Sequence, residues 1–168
     1  MKIHKKQGGM LLIEVLVAVL LFVVGILGMV KAMGVSQVAQ ADAQNRSEAG
    51  NFASVIVQRM RVAADNSSAA NYIASLEAFR HLETTVSACS FSGTPSSNAF
   101  VTNWVADVRT GAGHLPGATA AMQQVLVDTT PGTGYNKVTV TLCWQGPNDL
   151  QPRRHTYSAY VNQNFTTP

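Results

Sequence analysis

One carboxylate sits where carboxylates are costly. Glu14 is the only ionisable side chain between Met10 and Val30, a run of twenty-one residues otherwise built from Leu, Ile, Val, Ala, Phe, Met and Gly. An acid inside such a run costs a few kcal/mol in lipid and usually persists because a partner neutralises it. A cut after Gly9 would create that partner, because Met10 would then carry a free α-amino group, mostly protonated near neutral pH. Glu14 follows one helical turn later, where the positive end of the helix dipole favours it and where it can pair with its own or a neighbour's amine. The alternative is an interfacial Glu near a helix start, with no pairing role.

Other reactive residue types are sparse. Cys89 and Cys143 stand 54 positions apart, with no CxxC pair and no His nearby at metal-ligand spacing. A disulfide in an oxidising compartment such as the periplasm is the natural reading and would add about 3 to 4 kcal/mol to the stability of the globular part; two buried thiols are the alternative. His81, His114 and His155 are scattered, and none has a Cys, Asp or Glu at ligand spacing on a firm element. No GxSxG elbow, HExxH helix or Walker loop is present. Gly111-Ala112-Gly113 followed by Gly117 misses the dinucleotide spacing and follows a helical pattern rather than a strand. Catalysis is therefore not expected, and neither is a metal or another cofactor. Arg153-Arg154-His155 with Tyr157 and Tyr160 forms a small basic and aromatic cluster, so Arg153 and Arg154 are candidate contacts to DNA or a host surface. The alternative is a solvated edge of the last strand.

The elements around these residues begin with a short basic segment, Met1 to Gly9. Lys2, Lys5 and Lys6 supply three of the twelve cations, and without them nine cations face nine acids. The formal charge of +3 thus belongs to the first six residues, and nucleic acid is not expected as a partner of the body. Only 12% of residues are charged, about half the share of an average soluble domain, which suits an exported surface. Residues 10–30 would extend about 31 Å as a helix, the thickness of a bilayer's hydrocarbon. Three lysines before the run and Lys31 after it favour a cytoplasmic N-terminus. A secretory signal peptide fits less well: the run exceeds the usual apolar core of about 7 to 15 residues, and Lys31 and nine further residues separate it from Ala39-Gln40-Ala41. A plain uncleaved anchor leaves Glu14 unexplained.

Lys5-Lys6-Gln7-Gly8-Gly9-Met10-Leu11-Leu12-Ile13-Glu14-Val15 resembles the class III signal of type IV prepilins and type II secretion pseudopilins. The resemblance implies that residues 1–9 are a leader, that prepilin peptidase cuts between Gly9 and Met10, and that Met10 is N-methylated, although the family more often has Phe there. Glu14 falls at the family's acidic position, implicated in docking to the growing filament. The implied fold is α+β: residues 10–31 as the membrane-spanning and filament-core half of a long helix, residues 32–64 as its amphipathic half, and residues 65–168 as a periplasmic head with an antiparallel sheet.

Within the chain, Gly25 and Gly28 read as points of close helix packing. Val35, Val38, Ala41, Phe52, Val55, Ile56, Met60 and Ala63 recur at helical spacings with no intervening proline, so the helix should continue until Asp65-Asn66-Ser67-Ser68. A short helix or two is expected within 69–87 and a loop over 90–97. Val101, Trp104, Val105 and Val108 predict a second firm helix ending at Gly111, with Trp104 in the core. Residues 125–127, 137–144 and 155–161 predict a three-stranded meander with Val138, Val140, Leu142 and Trp144 on the face toward the long helix, and Cys143 on the other. Gln58-Arg59-Met60-Arg61, Asn103-Trp104, Leu115-Pro116-Gly117 and Val138-Thr139-Val140-Thr141-Leu142-Cys143-Trp144, in that order, are similar to minor pilins of the PilV family, though Ala118 and Gln145 depart from its pattern. That resemblance implies a low-abundance subunit that primes or modifies pilus assembly. Its partners would be prepilin peptidase, other minor pilins, the major pilin and the inner-membrane assembly platform, and it would move from the inner membrane to the pilus surface. An I-type pseudopilin of type II secretion and a tip-located DNA- or surface-binding pilin are the alternatives.

Overall fold

With no proline or turn cluster to stop it, the apolar run continues as helix well beyond its last valine. The computed structural model describes residues 8–129, 135–147 and 149–162, and its first element is a single 56-residue helix, α1, spanning Gly8–Ala63. Lys2, Lys5 and Lys6 of the expected leader lie outside the described residues. Two compact units divide the chain, the first ending at Ala43 and the second beginning at Gln44.

In the second unit α1 stops after Ala63, as the turn-forming residues predict. Asp65 Oδ1 accepts the Ser67 N–H at 2.9 Å, and Ser68 then caps α2 (Ala69–Glu77) by accepting the Asn71 N–H at 3.1 Å. Residues beyond α2 depart from the expected helix and loop. Thr84–Ser87 and Ser90–Ser92 form a small antiparallel hairpin, β1 and β2. Its β-branched residues and the Cys89 anchor outweigh the weak helical spacing of this stretch. The helix α3 (Ala99–Thr110) starts at Asn98, whose side chain accepts the Phe100 N–H at 2.9 Å, and it buries the four residues expected, Val101, Trp104, Val105 and Val108.

A turn of 3-10 helix (Ala120–Met122) leads into the meander β3 (Gln123–Asp128), β4 (Tyr135–Trp144) and β5 (Arg153–Asn162), with neighbours antiparallel in that order. Val125 faces Val140, and Val140 faces Tyr157. The inner face of β4 presents Val138, Val140, Leu142 and Trp144, all fully buried, to one core built with Ala49, Ala53, Ile56, Val57 and Met60 of α1, Tyr72 and Leu76 of α2, and α3. The long N-terminal helix thus packs on an antiparallel sheet in an α+β layout. The seat on α1 is narrower than the expected stripe: Val35, Val38, Ala41 and Ala63 are exposed, and Val55 is more exposed than buried-side neighbours Ile56 and Val57. A second, smaller core of Leu82, Cys89, Phe91 and Cys143 covers the outer face of the sheet beneath the hairpin. This explains why β4 alternates at its start and is buried on both faces at its end.

The turn at Leu115-Pro116-Gly117 fastens the end of β4. Leu115 is fully buried, its N–H bonds the Val108 carbonyl at 2.9 Å, and the Gln145 N–H bonds the Pro116 carbonyl at 3.0 Å. Gly117 adopts φ +63°, and a Cβ there would collide with the Gln145 carbonyl oxygen, so glycine is required twice over.

Candidate functional site

The candidate site is the apolar half of α1. Every large apolar residue from Leu11 to Val38 is exposed, between 47% at Val23 and Ile26 and 73% at Val35. An exposed apolar surface this continuous marks a membrane or protein interface. The helix is long and apolar enough to cross a membrane, with a mean hydropathy of 3.0 over its most apolar window. Gly9 and Met10, the expected cleavage pair, lie in its first turns by backbone.

At about 100° per residue the positions of the run can be assigned to sides. Leu12, Val15, Leu16, Val19, Leu20, Val23 and Val24 share one bulky face. Glu14 lies on the opposite side, in line with Ala18, Gly25 and Ala32 and close to Gly28. A Cβ placed at Gly25 or Gly28 meets nothing within 4 Å among the described residues, so no contact within the chain calls for glycine there. Small residues on one side of an apolar helix let a second helix approach closely. Glu14 therefore shares its side with Ala18, Gly25, Gly28 and Ala32, where a second helix can come close, with Leu21 in line among them and Leu11, Val17 and Met29 at the flanks.

The expected disulfide is present. Cys89 and Cys143 are bonded with Cα atoms 5.6 Å apart, and the link pins the β1–β2 hairpin to the outer face of β4.

The expected basic and aromatic cluster divides between two faces of β5. Arg153, His155 and Tyr157 point toward the core side, with Tyr157 packed against the core, while Arg154 and Tyr160 point outward and are exposed. Arg153 is engaged: its Nε lies 3.1 Å from both Asp149 carboxylate oxygens and its Nη2 2.9 Å from Oδ1. That bidentate bond holds the Asp149 carboxyl below its ordinary value, and Asp149 also accepts the Gly146 N–H at 3.1 Å. Arg153 therefore fastens the β4–β5 turn, and Arg154 alone of the pair faces solvent. The sequence carried a signal for this in Asp149, four residues before Arg153 in a turn cluster, which only the register of the meander turns into a contact.

His81 also takes a role the sequence did not suggest. It is buried, its backbone pairs with Val125, and its Nδ1 accepts the Ser96 N–H at 3.1 Å. Burial holds its pKa below the ordinary value of 6.5. Comparison with protein-family models, with curated proteins and with solved structures returned no match.

Proposed function

We propose that this chain is a minor pilin subunit of a type IV pilus, made as a prepilin, cut by prepilin peptidase between Gly9 and Met10, and N-methylated at Met10. The observation that carries the reading is the exposed apolar run ending at Val30, whose lone ionisable residue, Glu14, lies one turn past the Gly8-Gly9-Met10 junction and on the same side as Ala18, Gly25 and Ala32. Before assembly the run spans the inner membrane with the head in the periplasm, as the lysines of residues 2–6 favour. In assembly the helix exchanges lipid for neighbouring helices. Neither environment gives Glu14 water, so the amine of Met10, its own or a neighbour's, supplies the opposite charge and sets the register of docking. The disulfide fits an oxidising periplasm. Other minor pilins, the major pilin and the assembly platform are the partners. By its resemblance to the PilV family the subunit primes or modifies assembly rather than forming the bulk of the filament.

The test is fractionation of cells carrying the tagged chain. Recovery at low stoichiometry in sheared surface filaments, with piliation reduced on deletion, is the expected result. Retention in the cell envelope with normal piliation and a block in protein export would replace the pilus reading by a type II secretion pseudopilin of the I type.

A further inference from the structure

The sheet of β3, β4 and β5 has two edges, and the chain closes only one of them. At the β3 edge His81 and Val125 exchange both of their backbone N–H···O bonds, each at 3.0 Å, and Arg80 Nη2 donates to the Val127 carbonyl at 2.9 Å. These bonds also fix the phase of the whole ladder. In an antiparallel sheet a residue directs its N–H and C=O to the same side, and successive residues alternate. Val125 turns both groups away from β4, so Val140 opposite it turns both toward β5, where Tyr157 receives them. His155, Tyr157 and Ala159 therefore bond β4, while Arg154, Thr156, Ser158 and Tyr160 present their main-chain groups to the free side of β5. The end of that side is tied down as this phase requires: Arg61 Nη2 donates to the Tyr160 carbonyl at 3.2 Å and the Tyr72 hydroxyl to the Asn162 carbonyl at 2.7 Å. On the free side, the N–H and C=O groups of Arg154, Thr156 and Ser158 have no hydrogen-bond partner among the described residues. Such an edge is a template for another strand. β5 carries no proline, and its register with β4 runs unbroken from Arg153 to Asn162, so nothing in the strand itself blunts the edge.

The side chains along the edge select the strand that fits. On the outer face Arg154, Thr156 and Ser158 are exposed, and Arg154 has no ion pair among the described residues. A strand laid beside them gains from a carboxylate opposite Arg154 and from hydroxyl or β-branched residues opposite the other two. On the core face Tyr157 and Ala159 pack against the core yet stay half-buried, whereas Val138 and Val140 beside them in β4 are fully buried. Apolar residues on that face of an added strand would complete their burial. A second copy of β5 does not meet these conditions, because it brings Arg153, Arg154 and His155 and no acid. We infer that the free edge of β5 captures an extended segment of a different protein, apolar at alternate positions and carrying a carboxylate opposite Arg154, which adds antiparallel as a fourth strand. The edge lies within the second compact unit and does not depend on the chain entering a filament.

Fluorescence anisotropy on the full chain in a zwitterionic detergent tests this with the fluorescein-labelled peptide TVTVTVE-amide, whose glutamate falls opposite Arg154 and whose valines face the core side. It should bind with a dissociation constant on the order of 100 μM. Arg154→Glu should weaken binding about fivefold or more, and exchanging the peptide's glutamate for lysine should restore it. N-methylation of the second and third threonines of the peptide, whose amides face β5, should abolish binding, while N-methylation of the central valine, whose amide points away, should leave it unchanged. Near-UV circular dichroism of Arg154→Glu separates a lost site from a lost fold. The inference is overturned if the peptide does not bind at millimolar concentration, if the two N-methylated peptides bind alike, or if Arg154→Glu binds the glutamate peptide as the parent does. It is also overturned if raising the concentration of the protein alone protects the Arg154, Thr156 and Ser158 amides from hydrogen exchange, which would assign the edge to a second copy.

Discussion

Gln123 carries an amide into a fully buried position on the inner face of the sheet, and neither its oxygen nor its nitrogen has a hydrogen-bond partner among the described residues. A buried amide without partners forfeits its solvation, a cost of about 1 to 3 kcal/mol. Gln123→Met, close in volume and without that cost, should therefore stabilise the head by about 1 kcal/mol or more in urea unfolding. A loss of stability would show that the amide is satisfied in the folded protein. His81 gives a pH prediction with a definite sign. Its Nδ1 must stay unprotonated to accept the Ser96 N–H, and its folded pKa is lowered from 6.5, with burial the main cause. The unfolded chain therefore takes up a proton first, so stability is full above the ordinary value and falls as pH drops below it, until the folded value is reached. Asp65 and Asp149, also lowered, lose their contributions only as pH falls further, below their ordinary 3.8. Urea unfolding between pH 7 and 5 should show the histidine slope, and His81→Asn, which keeps an acceptor near Nδ1, should flatten it. An equal slope in the variant would assign the effect elsewhere. Gly117→Ala, which forces a side chain into a positive-φ turn against Gln145, should cost about 1 to 3 kcal/mol.

At the scale of elements, the disulfide and the glycines of α1 make separable predictions. Replacing Cys89 and Cys143 together by serine should lower the stability of the head by about 3 to 4 kcal/mol, measured by urea unfolding, because the bond restrains the unfolded chain and its sulfurs sit in the smaller core. Gly25→Leu with Gly28→Leu should leave the head's unfolding midpoint unchanged, since a Cβ at either position meets nothing within 4 Å among the described residues, yet reduce recovery in filaments several-fold. Full recovery would remove Gly25 and Gly28 from the assembly contact. The elements differ in how plainly the sequence announced them. Val138 to Trp144 and Val101 to Val108 carried clean periods of two and of three to four, and both elements formed where those periods placed them. The amphipathic half of α1 was legible as helix, but its buried seat, Ala49 to Met60, was less so, because alanines contribute little to a hydrophobic pattern while allowing close approach to the sheet. The hairpin of β1 and β2 was not legible. Its seven residues are short, largely polar and held by one covalent bond and the face of another element, and such tertiary determinants leave no local period. The split of Arg153 from Arg154 followed from strand alternation alone, whereas the Asp149 contact required the turn's geometry.

At the scale of the whole molecule, a head with two small cores and a disulfide is joined in one chain to a helix whose first half has no apolar partner within the described residues. The composition follows this division, with the apolar residues concentrated at the front and few charges in the rest. Under the proposed function a membrane would satisfy the helix before assembly and a bundle of like helices afterwards, which makes the release of the Met10 amine the step on which the account turns. The most direct measurement is the intact mass and N-terminal sequence of the protein taken from membranes of cells with and without prepilin peptidase. The account predicts a chain beginning at N-methylated Met10 only when the peptidase is present. A chain beginning at Met1 in both would contradict it and leave a plain anchor, and a chain beginning at Asp42 would contradict it in favour of a secreted domain.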